Sequence, residues 1–146
     1  MQLHSVYYEI NETSTLYILV MNLAKYGSLL SKMLRLDRTF MEDEVRTIMI
    51  QLVLSIDLMH RKGIIHRDLK PDNVLMLEEE TLNVCITDLG MACRDTDIVS
   101  LKLRCGTPGF VAPEILRNSP ASAKTDIFSL GSMFFTMLTS SLLFKG

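Results

Sequence analysis

The chain has 146 residues, 48% hydrophobic and 22% charged, the profile of one soluble globular domain with enough apolar side chains for a core. A formal net charge of −2 gives no electrostatic case for nucleic acid or an anionic membrane as partner. Cys85, Cys93 and Cys105 are odd in number and widely spaced, which argues against a disulfide framework or a zinc site and for a reducing, cytoplasmic setting.

In chain order, the first ten residues lack the basic start and apolar run of a secretory signal, so the Asn11-Glu12-Thr13 sequon is read as chance. Ser5–Ile10 and Leu16–Met21, aromatic and β-branched around a polar break, predict a hairpin. The second strand is nearly all apolar, so cover on both faces is expected. Residues 28–35 form a short helix candidate with Leu29, Leu30, Met33 and Leu34 on one side.

The clearest helix follows. Thr39-Phe40-Met41-Glu42 has the form of a capping box, acids fill the first turn, and His60, Arg61 and Lys62 precede Gly63. Val45, Ile48, Met49, Leu52, Val53, Ile56 and Met59 recur at three- and four-residue steps, giving one apolar face on a helix assigned no chemistry. Ile64-Ile65 then leads into His66-Arg67-Asp68-Leu69-Lys70-Pro71-Asp72-Asn73. Val74–Leu77 and Leu82–Thr87 predict a second small hairpin ending at Asp88-Leu89-Gly90, with Glu78-Glu79-Glu80 as its solvated turn.

The segment 66–73 and the carboxylate beside Gly90 have the parts of a phosphoryl-transfer site. Asp68 can accept a hydroxyl proton and Lys70 can meet phosphate oxygens. Asn73 and Asp88 can supply the hard oxygen ligands that Mg²⁺ prefers. Residues 127–144 carry no charge, which allows either a membrane span or a buried helix starting at Asp126; six hydroxyl residues and Gly131 favour the buried helix.

These segments, with Cys105-Gly106-Thr107-Pro108-Gly109-Phe110-Val111-Ala112-Pro113-Glu114, resemble the eukaryotic protein kinase family through its H-R-D-x-K-x-x-N loop, D-F-G loop and A-P-E sequence. Lysine two places after the aspartate is similar to the serine/threonine branch, and Gly-Thr-Pro-Gly-Phe to the calcium/calmodulin-dependent group. The resemblance implies an α+β, partial kinase-like fold over residues 1–146: the last two small-lobe strands (1–21), a hinge (22–27), and the first half of a mainly helical large lobe (28–146). It implies ATP and Mg²⁺ as cofactors and a protein with a Ser/Thr acceptor as substrate, with a regulatory protein as a further partner.

Residue by residue, the resemblance makes Asp68 the proton acceptor and places Lys70 and Thr107 on the transferring phosphoryl. Asn73 and Asp88 become metal ligands, and Met21, Asn22, Leu23, Ala24, Ser28 and Leu75 the nucleotide-binding surface. Met21 and Leu75 read equally well as core packing. Leu89 stands for the family's phenylalanine and is expected beneath His66. Arg67 would offer a cation to a phosphate on the activation segment, residues 91–111, although Leu103 occupies the usual phosphorylated position. Asp126 would hold the catalytic-loop backbone, Glu114 would anchor the segment, and Gly109–Val111 would form a pocket for the residue after the acceptor. Ser28, Gly109 and Thr136 stand where arginine-selecting relatives carry glutamates, so no preference for basic substrates is expected.

No glycine-rich loop, strand lysine or partner glutamate is present, so a segment of a larger reading frame or a truncated product is expected. Two other readings follow from that: a non-catalytic nucleotide- or protein-binding fragment, and an interaction fragment with no ligand.

Overall fold

The computed structural model describes residues 2–11, 13–78 and 80–144. Glu12 of the sequon, Glu79 of the acidic turn, and Met1, Lys145 and Gly146 at the ends of the expected domain lie outside the described residues. In chain order the elements are β1 (Leu3–Ile10), β2 (Thr15–Met21), α1 (Leu29–Arg35), α2 (Glu42–Arg61), β3 (Ile64–Ile65), a single 3₁₀ turn (Pro71–Asn73), β4 (Val74–Met76), β5 (Val84–Ile86), β6 (Cys93–Arg94), α3 (Ile98–Leu101), α4 (Pro113–Leu116) and α5 (Ala123–Thr139). Among the described residues the strands form three antiparallel pairs, β1-β2, β3-β6 and β4-β5.

The core lies between α2 and α5, with β5 against α2 and β4 against α1. Val45, Ile48, Leu52 and Ile56 of α2 meet Leu130, Met133 and Met137 of α5, together with Leu29, Phe40, Leu69, Val74 and Met76. Each fully buried side chain of this size contributes about 1.5–3 kcal/mol. The expected apolar face of α2 is therefore present, but narrower than the periodicity implies, since Val53 is exposed. On α1, Leu29 is buried and Met33 packs against the same core, while Leu34 is exposed.

Both long helices begin elsewhere than expected. The cap of α2 is Met41, whose N–H donates to Glu44 Oε2 at 2.8 Å, so the capping glutamate is Glu44 and Thr39 lies outside the helix. Arg38 grips both oxygens of Glu44 (2.7 and 2.8 Å), and this pairing draws the Glu44 carboxyl down to about 2. A depressed carboxyl stabilises the fold fully above its unfolded value of 4.5, and that share is lost as pH falls towards 2. The stability difference between the native chain and Glu44→Gln is accordingly expected to vanish across this window in acid-denaturation curves. Exposure of Arg38 keeps the effect small at neutral pH.

Helix α5 starts at Ala123, three residues before Asp126, because Ser122 caps it: Lys124 N donates to the Ser122 hydroxyl, and Ser122 N donates to Thr125 Oγ1. No described helix is long and apolar enough to cross a membrane. The α5 hydroxyls explain the helix's mixed composition, since Thr125, Ser129, Ser132 and Thr136 lie on its buried side. Ser129 donates to Phe110 O, Ser132 to Gly109 O and Thr125 to Glu114 Oε1, while Ile127 and Phe134 face outwards.

The expected cover on β2 is absent: all seven of its residues are exposed, as are seven of the eight in β1. The hairpin is only two strands wide, and neither strand makes a substantial contact with another element.

Candidate active site

The loop after β3 is fixed from below. Asp126, with no exposed surface, accepts His66 N and Arg67 N at 2.9 Å each and His60 Nε2 at 2.8 Å. This bracing holds Arg67 at φ 69°, a left-handed conformation that a bulky residue keeps only under constraint. His60 belongs to α2, so the helix read as pure scaffold also steadies the loop.

His66 links the two acidic segments. Its Nε2 donates to Thr87 O (3.1 Å) and its Nδ1 accepts Asp68 N (3.3 Å), so one tautomer serves both bonds. Asn73 makes the second link: Thr87 N donates to Asn73 O (3.0 Å), extending the β4-β5 ladder by one rung. Asp88 therefore begins one residue beyond a point tied to both ends of the 66–73 loop. Asp88 also has positive φ, 61°, which an aspartate tolerates better than most side chains, and among the described residues its carboxylate accepts only Gly90 N.

Around Asp68 the side chains close a triangle. Thr107 donates to Asp68 Oδ1 at 2.6 Å, Lys70 Nζ lies 2.9 Å from Oδ2 and 2.8 Å from Thr107 Oγ1, and Asn73 Nδ2 donates to both the carbonyl and Oδ2 of Asp68. Burial alone would push the Asp68 carboxyl up. The hydrogen bond from Thr107, the Lys70 cation and the Asn73 amide outweigh it, and the net shift is downwards. Asp68 is thus held as an anion, an acceptor that orients a hydroxyl more than it pulls on its proton.

Not every expected neighbour arrives. Leu89 is 59% exposed and does not pack beneath His66, because no described element covers it. Ser28 caps α1 through its hydroxyl, which accepts Ser31 N, while its backbone bridges to Leu75; the side chain is committed to the helix end. Asn22, Leu23 and Ala24 line an open groove of about 440 Å³ with Gln2 and Leu77. Met21 and Leu75 do not line that groove; Met21 is half exposed beside Leu3, and Leu75 is half-buried.

Arg67 also reaches residues 91–111: its Nε donates to Met91 O at 2.6 Å and its Nη1 to Ser100 O, so two of the five donors of this buried guanidinium hold main-chain carbonyls of that segment. Farther along, Gly106 at φ 119° lies against the Arg67 carbonyl, an approach that a side chain would obstruct. Pro108, Gly109, Val111, Pro113, Leu116, Phe128 and Phe144 line an apolar hollow of about 350 Å³, with the two phenylalanine rings stacked at 5.4 Å.

A protein kinase domain model matches residues 3–146, nearly the whole chain. The chain belongs to the protein kinase family. The kinase domain is 36% identical over 146 residues to serine/threonine-protein kinase 17A of Oryctolagus cuniculus, covering 99% of this chain and 36% of that protein. It is 37% identical over 142 residues to CBL-interacting protein kinase 2 of Oryza sativa subsp. japonica (94% and 31%). It is also 37% identical over 141 residues to a hormonally up-regulated neu tumor-associated kinase homolog of Xenopus tropicalis (93% and 20%). The chain thus spans about a third or less of these curated relatives, and its strands and helices form part of a kinase-like α+β fold.

Proposed function

We propose that this kinase domain serves transfer of the γ-phosphoryl group of ATP to a serine or threonine hydroxyl of a protein. The observation that carries the reading is the closed set Asp68, Lys70, Thr107 and Asn73, with Asp88 tied to it through Thr87. In this reading Asp68 accepts the substrate hydroxyl and aligns it for attack. Lys70 and Thr107, already in contact, present a positive charge and a hydroxyl to the transferring oxygens. Residues 22–27 are the hinge, where the main chain of Asn22, Leu23 and Ala24 meets the adenine edge, and Leu75 lies on the adenine side. The apolar hollow at Gly109 and Val111 receives the substrate residue after the acceptor.

The donors suit Mg²⁺. Among the described residues both hydrogen bonds of the Asn73 side chain use Nδ2, which leaves Oδ1 for a ligand role, and the exposed Asp88 carboxylate accepts one backbone bond. One amide oxygen and one carboxylate are what a magnesium site needs when phosphate oxygens and water complete the shell. The ion, when bound, supplies charge neutralisation at the phosphates. Three free thiols fit a reducing, cytoplasmic setting.

Titration with a fluorescent ATP analogue, with and without Mg²⁺, tests the reading. Native chain is expected to bind more tightly with the metal, and Asp88→Asn to lose that gain by about tenfold, the order of effect seen when one metal contact is removed, while metal-free binding stays unchanged. An identical metal effect in both proteins would remove Asp88 from the site.

A further inference from the structure

Two of the three free thiols lie at either end of one stretch of chain, and the fold brings both ends to the same short part of the 64–67 backbone. Cys93 stands opposite Ile65 in the β3-β6 pair. Cys105 precedes Gly106, which packs so closely on the loop that a Cβ built there would stand 3.3 Å from the Arg67 carbonyl oxygen. Cys85, the third thiol, sits in a different strand pair, opposite Leu75.

Burial pushes the Cys93 thiol up against the pull of the Arg67 cation, and charge on Cys105 pushes it the same way, so each sulfur lies within range of the other's charge. Both side chains are partly buried, open enough for a small oxidant to reach. A disulfide needs its two Cα atoms within about 7 Å, and the chain between these two can adjust to that. Most of residues 94–104 are exposed, and a segment with few buried contacts opens at little cost.

We propose that Cys93 and Cys105 form a reversible dithiol site, oxidised by a small-molecule disulfide such as oxidised glutathione, that closes residues 93–105 into a loop and shifts Thr107. One cysteine thiolate attacks a sulfur of oxidised glutathione, forming a mixed disulfide and releasing one glutathione thiolate. The other thiolate then attacks the protein sulfur of that mixed disulfide, forming the Cys93–Cys105 bond and releasing the second. The two cysteine protons pass to the two glutathione thiolates, so two thiols are oxidised and one disulfide is reduced. Thr107 responds because only Gly106 separates it from Cys105. Gly106, held between Val111 and the Arg67 carbonyl, has no room to absorb the movement. The contacts that change are those of the Thr107 hydroxyl, which donates to Asp68 Oδ1 and accepts Lys70 Nζ. The inference is independent of the catalytic reading, since the bond forms without nucleotide or metal.

Incubation of the whole reduced chain with oxidised glutathione, followed by acid quenching and peptide mapping by mass spectrometry, tests it. A Cys93–Cys105 linked peptide pair is expected, two hydrogens lighter than the reduced pair and lost again on adding dithiothreitol. With glutathione at about 0.1 mM it is expected in roughly tenfold excess over glutathione adducts at either cysteine, because a tethered partner acts at about millimolar concentration. Cys85→Ser is expected to leave the yield unchanged, and Cys93→Ser and Cys105→Ser each to abolish it. Mapping of the native chain decides the pairing whether or not the serine variants fold. On oxidation of isotope-labelled chain, the amide signals of Gly106, Thr107 and Asp68 are expected to shift and to return with reductant. Glutathione adducts without the internal bond overturn the proposal, and so do links that include Cys85 as often as the pair. A bond that forms while the Thr107 and Asp68 signals stay in place overturns it equally.

Discussion

Asp68→Asn is expected to lower phosphoryl transfer by about 10²- to 10⁴-fold, the usual share of a positioned proton acceptor, while nucleotide affinity holds. The asymmetry follows from what Asp68 touches. Its partners are Thr107, Lys70 and Asn73, and an asparagine keeps the shape of the side chain but not the anion that a hydroxyl would approach. Because those partners hold the Asp68 carboxyl below its ordinary value, the rate is also expected to stay level through neutral pH and fall only below about pH 4, where an unshifted aspartate is already about half protonated. The same sign applies to stability: the contribution of Asp68 is complete above the unfolded carboxyl value and is lost as pH falls through the lower, folded one. Rate measurements with ATP and a serine peptide, paired with nucleotide titration, check the prediction. Equal loss of rate and affinity would make Asp68 a nucleotide-binding group instead.

Asp126→Ala is expected to be the most damaging change to the fold, costing about 3–5 kcal/mol, as when one partner of a buried charged network is removed. The carboxylate is fully buried and receives two backbone N–H groups and an imidazole. Alanine leaves all three without an acceptor and frees Arg67 from the constraint on its positive φ. Set against the 5–15 kcal/mol that holds a typical domain, this change brings the chain close to unfolding. Urea denaturation is the check, with Asp126→Asn as a milder companion that keeps one acceptor oxygen. A loss under about 1 kcal/mol, the size of a single ordinary hydrogen bond, would show that the loop is braced by something else.

The grouping of the candidate residues was legible because it is written in short spacings. Asp68, Lys70 and Asn73 fall within one loop, and a strand pair returns the chain to Asp88. Long-range partners were less legible. His60 reaches Asp126 across 66 residues, and nothing in the α2 periodicity marks that histidine apart from the basic residues that end a helix. The helix starts were misplaced for a local reason: Glu44 and Thr125, three residues after the true caps, answer the cap N–H groups, and several nearby Ser, Thr and Glu residues offer the same chemistry. Leu34, Val53 and Leu89 show a different limit. Apolar character marks a side chain that gains from burial, but whether another element arrives to cover it is decided by the tertiary arrangement. The same holds for β2, whose pattern reads as interior and whose faces are open.

The central claim is that the 66–73 loop and Asp88 face one bound metal–nucleotide complex. Paramagnetic Mn²⁺ in place of Mg²⁺, added with ATP to isotope-labelled chain, reads this directly through the broadening of backbone amide signals. The account predicts strong broadening at both Asp68–Asn73 and Thr87–Gly90 and weak effects at the far end of α2. Broadening of one segment with the other untouched would contradict it.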